Sequence, residues 1–416
     1  MLLAAVLYHP VVKAQPFRPY LVGSRAAGMG GAFTALADDG SGPYYNPGGL
    51  AFARASSVSL SISVYGLLGG SISNALGTGH DFDYRDPQIF PVDTAAIQKL
   101  GASDPQTGVV PHSLFFSVII PDALSRDDRD QLGDSANAFL SSGHAQTVWI
   151  GGGYARRLGR FGVGAGIYGL IGSSTGTLDL DLVIPGTNQF AVLTSRSDIN
   201  VLGVVASAGA RWDVSDTFRL GLSFFTPELG GGKRSAFNRL GRNDVNGPVV
   251  IINESDSLSA SPTLPFRVQF GAAWERGAWT LAADVIWLGP RTVWDNPEEA
   301  SRGLDRRVIR HTVFNESVGV EYVIGRRFPV RAGFFTDFAS GDARSTLVEN
   351  TSHVDHYGFT LSAGHISEHV KTDLGLSAWF GSGTDVIPDN LDFSKLLRSH
   401  SSEYGVYISL ATAYEF

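Results

Sequence analysis

The chain has 416 residues, a formal net charge of −8, 50 glycines, 25 phenylalanines, 13 tyrosines and no cysteine, and only 17% of its residues are charged. A soluble chain of this size carries about 25% charged residues, yet no stretch offers the roughly 20 continuous apolar residues of a spanning helix. The absence of cysteine removes disulfides, thiolate zinc sites and cysteine nucleophiles, and the acidic balance argues against nucleic-acid binding.

Taken in chain order, residues 1–14 are expected to be an export signal. Leu2 to Val12 form a mostly apolar run broken by His9 and Pro10, and Val12-Lys13-Ala14 offers a small-residue cleavage site. A short buried segment is the alternative, since the usual basic start is missing. Residues 15–56 do not alternate. They carry Gly23-Ser24-Arg25-Ala26-Ala27-Gly28-Met29-Gly30-Gly31-Ala32-Phe33, then Asp38-Asp39-Gly40, then Tyr44-Tyr45-Asn46-Pro47-Gly48-Gly49-Leu50. Small residues of this kind allow close backbone approach in a confined space such as a plugged lumen.

From Ser57 onward apolar residues recur at every second position. Val58, Leu60, Ile62 and Val64 share one face, with serines on the other. Hairpins follow about 158–160, 213–216, 275–277, 325–328 and 366–371. Aromatic residues sit at strand ends, as Trp212, Trp274, Trp287, Tyr322 and Phe380 do. The last strand runs through Val406, Ile408, Leu410, Thr412 and Tyr414 to a terminal Phe416. Its end resembles the signal read by the outer-membrane insertion machinery.

Strands about as long as a tilted membrane crossing needs, aromatic girdles, and short connections alternating with long ones at 173–198, 227–263, 289–311, 339–355 and 382–403 predict an all-β fold. The expected form is an antiparallel transmembrane β-barrel over residues 57–416 in a bacterial outer membrane. Eleven strands can be counted from about residue 145 onward, with two more at 57–65 and 113–120. An even count is required if both termini are periplasmic, so fourteen is expected and one strand is unplaced, within 66–75 or 121–144. Residues 121–144 have no strand pattern and read as a helical loop.

Three motifs suggest chemistry without the context it needs. Gly28-Met29-Gly30-Gly31 follows no apolar strand and is not a phosphate loop. Gly172-Ser173-Ser174-Thr175-Gly176 matches a nucleophile elbow in letters only, since it ends a barrel strand and opens a polar loop. His365-Ile366-Ser367-Glu368-His369 falls in a turn, whereas the zinc motif needs a helix. No enzyme activity, cofactor or metal is expected.

The run from Gly23 to Ala51 resembles the N-terminal hatch of the long-chain fatty-acid transporter (FadL) family of outer-membrane proteins. The similarity rests on Gly28, Gly30, Gly31, Asp38, Asp39, Asn46, Pro47 and Gly48. Gly48 departs from the family's alanine. PorV-like secretion-adaptor barrels carry a similar hatch. The resemblance implies residues 15–56 plugging a fourteen-stranded barrel. It also implies passive uptake of hydrophobic compounds, long-chain fatty acids or aromatic hydrocarbons, which bind on the outside and leave sideways through the wall. An anchor or adaptor for secretion or surface machinery is the alternative. An open porin for polar solutes is a third reading, which a hatch disfavours.

Phe224, Phe225, Leu229, Phe237, Val249, Ile251 and Leu264 are candidates for a hydrophobic-ligand pocket, with ordinary loop packing as the alternative. Arg211, Arg219, Asp284, Glu321, Arg331 and Asp373 fall on the polar faces. They are expected either to hold the hatch by ion pairs or to be solvated in the lumen. Expected partners are outer-membrane lipid and lipopolysaccharide, a hydrophobic small molecule and the barrel-insertion machinery, with the barrel acting as a monomer.

Overall fold

The computed structural model describes residues 21–77, 79–103, 110–130, 136–183, 190–243, 249–294, 307–341, 353–388 and 396–416. The expected export signal lies outside the described residues. So do the first residues of the expected hatch.

Fourteen antiparallel strands close into a barrel. They are β1 (Ser57–Ile72), β2 (Phe82–Leu100), β3 (His112–Asp130), β4 (Ala136–Leu158), β5 (Phe161–Val183) and β6 (Phe190–Asp213). Next come β7 (Phe218–Phe225 and Leu229–Arg242), β8 (Val250–Ala260 and Arg267–Arg276), β9 (Trp279–Leu288 and Arg291–Trp294) and β10 (Arg307–Arg310 and Val313–Ile324), each briefly interrupted. The barrel ends with β11 (Phe328–Asp337), β12 (His353–Ile366), β13 (Val370–Pro388) and β14 (Leu396–Glu415). Each strand pairs with its sequence neighbours. Pairing of β14 with β1, from Ser57 opposite Glu415 to Ile72 opposite Ser401, closes the ring.

The outward face is greasy over one band. Leu60, Ile167, Leu222, Phe270, Leu281, Phe359, Leu374 and Leu410 are all exposed on it. In a soluble protein so many exposed apolar side chains would drive aggregation; here they form the lipid-facing surface of a transmembrane barrel. Ring pairs border it: Phe161 stacks on Trp212 and Trp279 meets Tyr322 at one end, while Trp287 meets Phe314 and Tyr357 meets Phe380 at the other. Phe416 is exposed beside Tyr414, and its backbone N–H donates to the Ser56 carbonyl at 2.9 Å, tying the last residue to the root of β1.

Four sequence expectations are corrected. The unplaced strand is β2, at 82–100 rather than 66–75 or 121–144. Residues 121–130 and 136–144 are strand, not helical loop. Among the described residues, the long connections at 173–198 and 227–263 are mostly strand, since β5 and β6 continue through 173–183 and 190–198, and β7 and β8 through 229–242 and 250–260. Gly172 to Gly176 therefore lies within β5.

One physical cause explains these differences. Within lipid, β5 turns Ile167 and Ile171 outward; beyond it, Leu178 and Leu180 point inward while Thr175 points out. Where the outer face meets water instead of lipid, the apolar side must move to the inside. The strand continues although its pattern reverses. In β2 the same inversion puts Phe82 and Tyr84 inside and Asp83 and Arg85 outside.

Candidate functional site

Residues 21–56 fill the lumen. Two short helices, α1 (Ser24–Gly28) and α2 (Gly42–Tyr45), and a 3-10 turn at Pro47–Phe52 carry this hatch. Nearly every residue of it is buried, and Met29, Phe33, Leu36, Tyr45 and Leu50 form a core with wall residues Phe115, Trp149, Tyr168 and Phe225.

Glycines set how closely hatch and wall approach. Gly30 has φ +65°, and a Cβ there would lie 2.7 Å from the Phe334 carbonyl oxygen. Gly48 lies against Gly209, where a Cβ on Gly48 would sit 2.6 Å from the Gly209 carbonyl oxygen. Gly31 and Gly28 are buried in the same seam, where a Cβ on Gly28 would collide with Ser362.

Between the glycines stand polar anchors. The Asn46 amide donates to the Thr34 carbonyl at 2.8 Å and the Ala210 carbonyl at 2.9 Å, and its oxygen accepts the Gly48 N–H at 2.9 Å. Pro47 then starts the 3-10 turn, where a missing N–H is harmless. Asp284 accepts the backbone N–H groups of Phe33 and Thr34, both at 2.8 Å. Arg25 grips Glu321 with two hydrogen bonds, at 3.1 and 2.9 Å, and reaches Asp38 at 3.0 Å. Arg331 joins Glu321 and Asp373, each at 2.6 Å, and Asp373 also accepts from Ser24. Arg211 donates to the Leu36 carbonyl at 2.6 Å and lies 3.7 Å from Asp38. Arg219 differs, pairing with wall residues Asp213 and Glu275.

Burial opposes the charge on Asp38, but Arg25 and then Arg211 overcome it and hold the carboxyl below its ordinary range. Asp39, buried and next to Asp38, is pushed up. Its Oδ1 accepts from the Ser41 N–H and hydroxyl.

Beside the hatch the ladder between two wall strands breaks. The β2–β3 ladder runs from Leu100 opposite His112 to Asp93 opposite Ile119 and then stops among the described residues. At that height β3 bulges between Ile119 and Asp122, and β1 between Ser63 and Tyr65. Pro87, Pro91 and Pro121 cluster here, in keeping with proline's restriction to unpaired edges and bulges. Beyond the break, side chains replace the ladder. Gln88 exchanges hydrogen bonds with the backbone of Ser125, and Asp86 accepts the Asp127 N–H at 3.0 Å.

A cavity of about 70 Å³ lies on the hatch next to this break, lined by Tyr44, Pro121, Asp122, Trp149, Phe225, Leu264 and Arg267 among others. Of the seven pocket candidates, only Phe225 (2% exposed) and Leu264 reach it. Phe224 is 43% exposed, and Leu229, Phe237, Val249 and Ile251 are exposed too. Adjacent strand residues point to opposite faces, so Phe224 and Phe225 cannot share one pocket. Trp149, Asp122, Tyr44 and Arg267 were not identifiable from sequence, because strands far apart in the chain bring them together. The Arg267 guanidinium lies 4.3 Å from the Tyr44 ring centroid and 4.0 Å from that of Phe225.

The His365–His369 stretch includes the turn between β12 and β13, where the two rings meet Phe328 and Tyr414.

No protein-family model and no curated protein matches the sequence. Solved structures do. A Pseudomonas aeruginosa FadL homologue superposes with a TM-score of 0.67 at 15% identity, covering 95% of this chain and 98% of that one. The P. putida toluene transporter TodX gives 0.65 at 13% identity, covering 96% and 99%. The Ralstonia pickettii toluene transporter TbuX gives 0.60 at 12%, covering 96% and 99%.

Proposed function

We propose that this chain, which has the fold of the FadL-type barrels, carries small hydrophobic molecules passively across a bacterial outer membrane. Cargo enters from the extracellular end, meets the apolar cavity on the hatch, and leaves sideways between β2 and β3. The observation that carries this reading is the parting of β2 from β3 beside a lumen that the hatch fills. With the axis blocked, a wall opening into lipid is the remaining route for a molecule that partitions into hydrocarbon and not into water. The toluene transporters that share the fold support the choice of cargo class. Long-chain fatty acids remain within it.

The test is uptake of labelled toluene and labelled oleate into proteoliposomes. Because the chain has no cysteine, Gln88→Cys and Ser125→Cys can be joined across the break by a short thiol-specific cross-linker. Uptake above empty vesicles is expected before cross-linking and loss to that level after it. No uptake by the uncross-linked protein, together with a stable protein partner on pull-down, would favour an anchoring role instead.

A further inference from the structure

The cavity on the hatch is not uniformly apolar. Trp149 is 6% exposed, and its Nε1–H has no acceptor. Asp122 uses one carboxylate oxygen to accept from the Thr147 hydroxyl at 3.0 Å; its other oxygen, Oδ1, is buried and has no donor. Both residues line the same cavity. Asp122 faces Thr147 across the β3–β4 ladder, and Trp149 is two residues along β4 on the same face. Two residues lining one cavity thus carry a buried donor and a buried acceptor without partners, which costs free energy unless something fills the gap.

The arginines around the cavity do not serve this purpose. Arg267 donates to the Tyr44 carbonyl, Arg291 to the Leu264 and Glu228 carbonyls, and Arg310 to the Thr263 carbonyl and hydroxyl. They brace the interruptions of β7 and β8 and hold the hatch. Arg267 also lines the cavity and is engaged with Tyr44 and Phe225, so the inference rests on two other atoms of the lining residues, the Trp149 Nε1–H and the Asp122 Oδ1.

We infer that this cavity is a recognition subsite for a hydroxyl group on an aromatic cargo, the phenol class, an inference that rests on the transport reading above. A hydroxyl donates one hydrogen bond and accepts others, so it satisfies Asp122 and Trp149 together. A methyl group satisfies neither. Tyr44, Phe225 and Trp149 supply ring faces for the aromatic body. The cavity holds about 70 Å³, roughly half the ~150 Å³ that takes benzene in an engineered protein cavity. The ring therefore enters part way, hydroxyl first.

The experiment is calorimetric binding of p-cresol and toluene to the full barrel in detergent, against empty-micelle blanks. p-Cresol is expected to bind about 10-fold tighter than toluene. Trp149→Phe keeps a ring and removes the donor; Asp122→Ala removes the acceptor. Each should lower p-cresol affinity about 5-fold relative to that for toluene, in protein whose folding is checked by heat-modifiable gel mobility. Equal binding of p-cresol and toluene by the wild type, or binding of neither, overturns the inference and assigns the two atoms to a bridging water. So does a preference that survives both substitutions. If p-cresol is preferred but no cargo crosses the vesicle wall, the subsite stands and the transport reading falls. If toluene crosses without any p-cresol preference in binding, transport stands and the subsite falls.

Discussion

Both ends of the Asn46 amide are engaged where hatch meets wall. Its NH₂ group bridges a hatch carbonyl and a β6 carbonyl, so a single side chain joins two pieces of backbone that have no ladder between them. Asn46→Ala would leave the Thr34 and Ala210 carbonyls and the Gly48 N–H without that partner. The expected cost is about 2–4 kcal/mol of hatch docking, read as faster protease cleavage within residues 21–56 while the barrel itself stays heat-modifiable. The resemblance at Asn46-Pro47-Gly48 was legible as sequence. That Gly48 must stay small became legible only when Gly209 was found against it, because its neighbour comes from a strand more than a hundred residues away. Trp149 and Asp122 carry no motif at all, since a missing partner is a property of the assembled neighbourhood.

At the scale of elements, α1 is a helix of five residues that could not persist alone. Charge holds it in place. Arg25 ties it to β10 through Glu321, Ser24 ties it to β13 through Asp373, and Arg331 of β11 links those two carboxylates. This network gives a pH dependence with a definite sign. Asp38 is held below its ordinary range, so its contribution is complete above about pH 4 and is lost as pH falls through the depressed value. Asp39, pushed up by burial and by Asp38, costs docking nothing below about pH 4; its penalty grows as pH rises from there and is complete above the raised value. Protection of the hatch from protease is therefore expected to peak in mildly acidic buffer and to fall when the pH drops below 3. A protection that keeps rising down to that pH would contradict the assignment of Arg25 and Asp38 as partners. The strands show the complementary lesson. β5, β6 and β14 were readable in their lipid-facing stretches, and β2 was not. Two prolines, an inverted alternation and polar inward residues such as Asp86 and Gln88 remove from β2 every cue that lipid imposes on its neighbours.

For the whole molecule, the lumen contents decide what can pass. The hatch packs its apolar residues into one core with the wall, and on the opposite side of it from the small cavity a polar vestibule of about 780 Å³ is lined by Arg25, Asp38, Asp93, Glu275 and Lys371 among others. The expected consequence is a barrel of low conductance in planar bilayers. Deleting residues 1–56 should convert it to one with large, steady currents, because the inward faces that remain carry Arg211, Asp284, Glu321, Arg331 and Asp373 and would hydrate. Large steady currents from the intact chain would mean that the hatch does not seal the lumen.

The sequence by itself determined that this chain is a barrel with its apolar residues turned outward, because lipid on one side of a strand imposes a two-residue period that needs no tertiary information to be seen. It also carried the hatch, since close packing inside a narrow lumen selects small residues in one continuous run. Phe416 marked the end of the last strand for the same local reason. Only the tertiary structure decided where the β2–β3 ladder breaks and which side chains line the cavity beside that break. Both depend on pairings between strands, and a ladder that stops at Asp93 and Ile119 leaves in either strand only prolines whose meaning depends on the partner that is no longer there.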